Sequence, residues 1–324
     1  MHLLIVLDPV ESIKTAKDST YAMMQAARAR GHDISVCEVP DLWLESGQVW
    51  ASARRIELVG PQWGEPGHDA HGWYRLDDAQ TRTLSRFDAV LMRKDPPFDS
   101  EYVYATWLLE HATRHGARVF NSPRAIRDHG EKYAIAEFPQ FTAETLVTRD
   151  PVRLREFVLH HREAVFKLLD GMGGASIFRA RADDPNLSVI IETLNQFGAR
   201  SVMAQRYLPA IKDGDKRILL IDGQVVPFAL ARIPKAGEAR GNLAAGGTGR
   251  AQPLSARDLE IAEALAPVLA ARGLFLVGLD VIGDCLTEIN VTSPTCFREI
   301  HVQMGFDVAG LYIESLERAL TPQA

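Results

Sequence analysis

Residues Gly278–Thr295 read GLDVIGDCLTEINVTSPT, and the interpretation of the chain turns on how they pair. Apolar Val281, Ile282, Leu286 and Ile289 surround a Gly283-Asp284 turn signal, which makes the stretch a semi-buried β-hairpin. Glu288 and Asn290 are two apart on its second strand, so both side chains leave the same face. A carboxylate and an amide offer oxygen donors only, which suits Mg²⁺, a hard ion that keeps waters and borrows phosphate oxygens. Asp280 joins them in one register alone. A two-residue turn would pair Asp280 with Thr287. A three-residue Gly283-Asp284-Cys285 loop, or a bulge, pairs it with Glu288 and completes a three-oxygen cluster. The loop or bulge is the expectation here. An exposed hairpin with acidic decoration is the competing reading, against which stands the need of buried carboxylates for cations.

Upstream, KRILLID-G-QVVPFALAR is a second hairpin, with Asp222-Gly223 as its turn and Arg217 and Arg232 on its two strands. Arginines near a Mg²⁺ site fit bidentate recognition of phosphate or carboxylate, although a surface charge pair would look the same. KLLDGMGGAS carries Gly171, Gly173 and Gly174 between two strands, read as a tight glycine turn whose backbone N–H groups can close on phosphate oxygens. No Gly-Lys-Ser/Thr ends it, so it is not a Walker motif. Lys167 precedes it on the strand, and Lys132 opens a helix after Glu131. Between the arginine hairpin and the next helix lies RIPKAGEARGNLAAGGTGR, Arg232–Arg250, nineteen residues with five glycines. A connection longer than roughly 12–15 residues is usually functional or disordered, and this one is expected to be a lid over residues 233–249. Ser255 with Asp258 caps the helix that follows, and Gly273 stops it.

About the first 120 residues alternate strands and helices, which predicts a parallel, Rossmann-like α/β layer. The absence of GxGxxG removes dinucleotide binding. Segment 45–80 reads as an irregular excursion. KDST (Lys17–Thr20) and MRKDPPFD (Met92–Asp99) follow predicted strands, where parallel sheets bind ligands. The expected domains are 1–122, Rossmann-like; 123–205, a small α+β unit; and 206–324, a C-terminal α+β unit with the lid.

Length, at 324 residues, favours two or three domains. With 36 basic against 42 acidic residues, a nucleic-acid surface over the whole molecule is disfavoured, though a basic pocket is not. No apolar run reaches about 18 residues, so no membrane span is expected. MHLLIVLDPV reads as a first strand rather than a leader, and three cysteines without CxxC spacing point to a reducing cytoplasm. His111 and His115 have metal-ligand spacing, but HATRH lacks the glutamate of HExxH. Cys296 and His301 have no third partner for thiol catalysis.

In this order the elements resemble the ATP-grasp enzymes, and more closely the bacterial glutathione synthetases. MRKDPPFD, DGMGGASIFR, YLPAIKDGDKR, GNLAAGG and GLDVIGDCLTEINVTSPT are all similar to that family's stretches. Leu168, where a proline is expected, and Arg206, where a shorter polar residue is expected, depart from it. The resemblance implies an ATP-grasp fold, α/β and α+β, behind a Rossmann-like domain. It implies ligation of γ-glutamylcysteine and glycine, with ATP as substrate and Mg²⁺ or Mn²⁺ as cofactor, through an acyl phosphate, in a homotetramer. It places ATP against Lys132, Lys167, Gly171, Gly173, Gly174, Ser176, Gln205, Tyr207, Leu208, Asp215 and Asn242. Asp280, Glu288 and Asn290 would hold the metal, while Arg217 and Arg232 would face the transferred phosphoryl group. Lys17, Asp18, Ser19, Arg93, Lys94, Asp95, Ser293, Pro294 and Arg298 would hold the substrates; Arg240, Gly246, Gly247 and Gly249 would belong to the lid. The rival readings are another ATP-dependent carboxylate–amine ligase, disfavoured by MRKDPPFD and TSPTC, and a non-catalytic ATP-binding scaffold, disfavoured by the retained Glu288, Asn290 and arginines.

Overall fold

The computed structural model describes residues 1–59, 72–174, 176–235 and 246–321. In chain order the first unit holds β1 (His2–Val6), α1 (Ser19–Ala29), β2 (Asp33–Cys37), β3 (Leu42–Glu45), β4 (Gln48–Leu58), β5 (Tyr74–Leu76), β6 (Gln80–Thr83), β7 (Ala89–Met92), α2 (Ser100–Arg114), β8 (Val119–Phe120) and α3 (Pro123–Asp128). The sheet order is β3-β4-β2-β1-β7-β8, and β2, β1, β7 and β8 run parallel as expected. Leu3 and Ile5 of β1 enter one core and Leu4 and Val6 another, the two faces of a central strand covered on both sides. Asp18 caps α1 through Tyr21 N at 2.7 Å, and Asp99 caps α2 through Tyr102 N at 3.0 Å.

The described part of segment 45–80 corrects the expectation of irregularity. β4 is a long strand, antiparallel to β2, β3, β5 and β6. Val49, Ala51, Ala53, Ile56 and Leu58 are its buried residues. Small residues at the buried positions, and exposed Arg54 and Arg55 between Ala53 and Ile56, concealed the alternation.

The second unit comprises β9 (Thr145–Thr148), α4 (Pro151–His161), β10 (Glu163–Leu168), β11 (Phe178–Arg181), α5 (Leu187–Asn195) and β12 (Val202–Arg206). Its antiparallel sheet, ordered β11-β10-β12-β9, encloses a separate small core around Phe166, Leu154, Val158 and Ile191. The glycine stretch between β10 and β11 is a long connection from Leu169 to Ile177, not the tight turn expected.

The third unit comprises β13 (Asp215–Ile221), β14 (Gln224–Ile233), β15 (Thr248–Pro253), α6 (Ala256–Ala271), β16 (Leu276–Ile282), β17 (Cys285–Asn290), α7 (Phe297–Met304) and α8 (Val308–Leu320). Its antiparallel sheet is ordered β15-β14-β13-β16-β17. Asp222 (φ 50) and Gly223 (φ 73) form the expected turn, with positive φ at both central positions. Ser255 and Asp258 make the capping box that starts α6. β15 was not expected. It places Gly249, expected in the lid, opposite Arg232 as a ladder residue of the sheet. Arg240 and Asn242 lie outside the described residues.

The first and third units share their cores: Leu219, Ile221, Tyr312 and Leu316 pack in the same cluster as Leu3, Ile5 and Met24. Buried Asn121, just after β8, fixes the junction. Its amide donates to Leu276 O at 2.8 Å and Val291 O at 2.9 Å, and its oxygen accepts from Leu276 N at 2.7 Å. Among the described residues, no helix is long and apolar enough to cross a membrane.

Candidate active site

β16 and β17 meet in the register that unites the carboxylates. Ile282 pairs with Cys285 around the two-residue Gly283-Asp284 turn, and Thr287 is then bulged out, so that Asp280 faces Glu288 and Gly278 faces Asn290. Thr287 is buried and its hydroxyl donates to Asp280 O at 3.1 Å, which stabilises the bulge. On the other side of β16, Arg217 of β13 pairs with Asp280. Arg217, Asp280 and Glu288 therefore form one row across three strands. Gly278 is needed beside it: a Cβ there would come within 2.8 Å of Arg217 Cδ and 3.1 Å of Pro294 Cβ.

The row is tightly charge-paired. Arg217 Nε and Nη2 donate to the two Asp280 oxygens at 2.5 and 3.1 Å. Arg232, opposite Asp215 on the neighbouring strand pair, reaches Asp215 Oδ2 at 2.6 Å and Asp280 Oδ2 at 2.8 Å. Burial disfavours the Asp280 charge, but the two arginines outweigh it and hold the carboxyl well below the usual range. Asp215 differs: burial outweighs Arg232 and pushes it up to about 6, and its Oδ1 is buried without a partner among the described residues.

Lys132 ties this row to the glycine stretch. Its ammonium, on a residue 5% exposed, donates to Glu288 Oε1 at 2.9 Å and to the Gly171 carbonyl. Burial works against that charge, but Glu288 outweighs it and raises the pKa. Lys167 donates to Gln205 Oε1 at 3.1 Å, and burial lowers its pKa. Gln205 in turn donates to Thr145 Oγ1 at 3.1 Å.

A cavity of about 470 Å³ joins these groups. Lys132, Lys167, Gly171, Gly173, Gly174, Gln205, Tyr207 and Leu208 line one region, and Asp215, Arg217, Arg232, Asp280, Glu288 and Asn290 also face it. Lys17, Asp18, Asp95, Ser293 and Pro294 line the part nearer the first unit. Ser176 is exposed and is not among the lining residues. Ser19, Arg93 and Lys94 do not line the cavity. Ser19 Oγ accepts from Phe297 N at 3.2 Å, Arg93 bonds Thr20 Oγ1 and Pro294 O, and Lys94 pairs with Asp8 at 2.6 Å. Arg298 lines a second cavity beside Tyr21. Of the two departures noted, Arg206 lines the cavity and bonds Glu144 Oε2 at 2.6 Å, whereas Leu168 does not line it.

Sequence reasoning passed over Glu131 as a site residue. Its Oε1 accepts from Val291 N at 2.9 Å, Thr292 N at 3.1 Å and Thr292 Oγ1 at 2.9 Å, clamping the exit of β17 just after Asn290. Only its place beside Lys132 could have drawn attention to it.

Two carboxylates and an amide oxygen are a donor set that fits Mg²⁺, and equally Mn²⁺. Asn290 commits its amide nitrogen to Gly278 O at 3.1 Å, which leaves its oxygen as the ligand atom. Three protein ligands are fewer than an octahedral ion takes, so phosphate oxygens and water would supply the rest.

The fold is that of the ATP-grasp ligases. Solved structures similar to it over nearly the whole chain include the D-cycloserine synthetase DcsG (TM-score 0.67, 17% identity, 98% of this chain and 100% of that one). Another is the ATP-grasp ligase PsnB complexed with minimal precursor, Mg and ADP (TM-score 0.61, 18% identity, 98% of both chains). Sequence resolves the family within that fold. Residues 1–127 match the prokaryotic glutathione synthetase N-terminal domain, and residues 131–305 match the ATP-grasp domain of the same family. Glutathione synthetases of Ralstonia nicotianae (61% identical, covering 98% of this chain and 96% of theirs) and Nitrosomonas europaea (58%, covering 98% of each) are similar throughout. The chain belongs to the prokaryotic glutathione synthetase family, whose members are ATP-dependent ligases.

Proposed function

We propose that the cavity houses both steps of the glutathione synthetase activity carried by this chain: phosphorylation of the cysteinyl carboxylate of γ-glutamylcysteine by ATP, then attack of glycine on the acyl phosphate. The supporting observation is that one continuous cavity links the lysine–glycine cradle, the Arg217–Asp280–Glu288 row and the mixed-charge wall of the first unit. A carboxylate is a poor electrophile, and phosphorylation supplies the leaving group. Phosphoryl transfer asks a protein mainly for positioning and charge stabilisation, so no side-chain nucleophile is needed.

Lys132 and Lys167 hold the phosphates, with Gly171, Gly173 and Gly174 beside them, while Gln205, Tyr207 and Leu208 flank the base. Arg217 and Arg232 stabilise charge on the transferred group and on the carboxylate that receives it. Asp280, Glu288 and Asn290 hold Mg²⁺, which when bound neutralises phosphate charge. Asp280 fixes both guanidinium groups so that they are oriented before substrate arrives. Lys17, Asp18, Asp95, Ser293 and Pro294 bind the dipeptide and glycine.

Phosphate release from Mg·ATP, followed with γ-glutamylcysteine and glycine separately and together, tests this reading. Release that needs both, with a product of the mass of glutathione, is the expected result. Release with γ-glutamylcysteine and a different amine would move the substrate; ATP binding without any turnover would favour a scaffold.

A further inference from the structure

β17 ends at Asn290, whose pairing with Gly278 is the last rung of its ladder with β16. A metal ligand on the final residue of a strand has no ladder beyond it to hold its backbone, and strand ends open first. Glu131 takes over at that point. Its carbonyl accepts from Ile289 N at 2.9 Å. Its Oε1 accepts from Val291 N at 2.9 Å, and from Thr292 N and Oγ1 at 3.1 and 2.9 Å. One residue thus binds the amides on both sides of Asn290. Asn121 adds a bond to the Val291 carbonyl at 2.9 Å.

The next residue, Lys132, donates to Glu288, two positions earlier on β17. Residues 131 and 132 therefore hold both β17 members of the oxygen cluster, Glu288 by its side chain and Asn290 by its backbone. An acid is an unfavourable choice for the first of them. Burial and, after it, the charge of Glu288 raise the Glu131 pKa against the pull of the Thr292 and Val291 donors. An amide side chain would accept the same bonds without that repulsion. What a carboxylate adds is stronger, charge-assisted bonds and negative charge beside the cluster, and both favour a cation there.

Resting on the assignment of Asp280, Glu288 and Asn290 as metal ligands, we propose that Glu131 is the positioning residue of the metal site: through the Val291 and Thr292 amides it sets where the Asn290 oxygen points and how tightly Mg²⁺ is held. The Asn290 amide nitrogen is tied to Gly278 O, so the oxygen shifts only when the backbone does, and that backbone is what Glu131 holds. The bond from Ile289 N goes to the Glu131 carbonyl and survives any side-chain replacement. Loss of the carboxylate is thus felt past Asn290 rather than along the whole strand.

The test uses Mn²⁺ in place of Mg²⁺, bound to the protein with a non-hydrolysable ATP analogue and read by electron paramagnetic resonance. Wild type is compared with Glu131→Gln, Glu131→Ala and Asn290→Ala. Partners that orient metal ligands are typically worth about 10- to 100-fold in affinity, and Glu131→Ala should weaken Mn²⁺ by that much. Line broadening in isotopically enriched water should count one more water on the ion in Glu131→Ala than in wild type, as in Asn290→Ala, because the amide oxygen no longer reaches it. Glu131→Gln keeps an acceptor oxygen but not the charge, and should lose about 3- to 10-fold. Thermal melts without metal separate a part in folding from one in metal binding. Lower melting with unchanged Mn²⁺ affinity and water count would overturn the assignment; where Glu131→Ala does not fold, wild-type affinity in Glu131→Gln would do so. Asn290→Ala that matches wild type would overturn the ligand set itself, and this assignment with it. Asn290→Ala that loses affinity while both Glu131 variants keep it would overturn the part given to Glu131 alone.

Discussion

Asp280 stands directly opposite Glu288, yet each is held by different cations: Asp280 by Arg217 and Arg232, Glu288 by Lys132. The two carboxylates therefore differ in what their loss exposes. Asp280→Asn leaves two buried guanidinium groups short of a counter-charge, and breaking a buried pair costs about 3–5 kcal/mol. Glu288→Gln leaves Lys132 bonded to the Gly171 carbonyl and keeps an oxygen in place. Both variants should lose ligation, but Asp280→Asn should also unfold at clearly lower urea. Equal midpoints would contradict the structural part assigned to Asp280.

Arg217 should respond to charge-conserving replacement. It forms a two-pronged contact with Asp280, and lysine has a single ammonium. Arg217→Lys should reduce kcat about 10²- to 10³-fold, the scale of losing one donor aimed at developing charge, with ATP binding little altered. Pre-steady-state phosphate bursts would show it. A loss confined to the KM for ATP would place Arg217 in nucleotide binding instead.

How much of this was legible depends on the range of the interactions. Two-residue spacing put Glu288 and Asn290 on one face, and Asp222-Gly223 and Ser255 announced a turn and a helix start, because each signal is local. The Asp280–Glu288 pairing could be narrowed to a longer loop or a bulge, and the bulge at Thr287 is what the structure holds. β15 stayed hidden because its pairing with β14 bridges the long glycine-rich connection, and TGRAQP carries little strand signal. Asn121 and Glu131 were illegible for the same reason. Each bonds backbone groups well over a hundred residues away, which no local pattern encodes.

Asn121 should prove among the costlier polar residues to remove. Its side chain satisfies two carbonyls and one N–H at the junction of the first and third units. Asn121→Ala leaves these buried groups unpaired, at about 1–3 kcal/mol for each that water cannot reach. Urea denaturation should show a loss of at least about 2 kcal/mol. An unchanged midpoint would mean that the junction is held by apolar packing alone.

Cysteine reactivity should follow burial. Cys37 and Cys296 are buried and Cys285 is half-buried, and burial raises all three thiols. The thiolate is the reactive form, so native protein near pH 8 should alkylate slowly, and first at Cys285. Mass spectrometry after brief iodoacetamide treatment would show the order. Early labelling of Cys296 would contradict its enclosure.

Lys167 should give ATP binding a pH dependence of definite sign. Burial lowers its pKa, partly offset by Glu288 and Asp215, so in the free protein it loses its proton at lower pH than an ordinary lysine. Phosphate oxygens favour the ammonium form. Binding of Mg·ATP should therefore take up a proton once the pH nears the free-state pKa, and affinity should fall as pH rises through it. Lys167→Arg keeps a permanent charge and should flatten the profile over the range below the ordinary lysine pKa, in which an arginine stays protonated. Calorimetry in buffers of different ionisation enthalpy would count the proton directly. A wild-type affinity constant across that range, with no proton uptake, would mean that Lys167 keeps its charge in the free protein through the carboxylates around it.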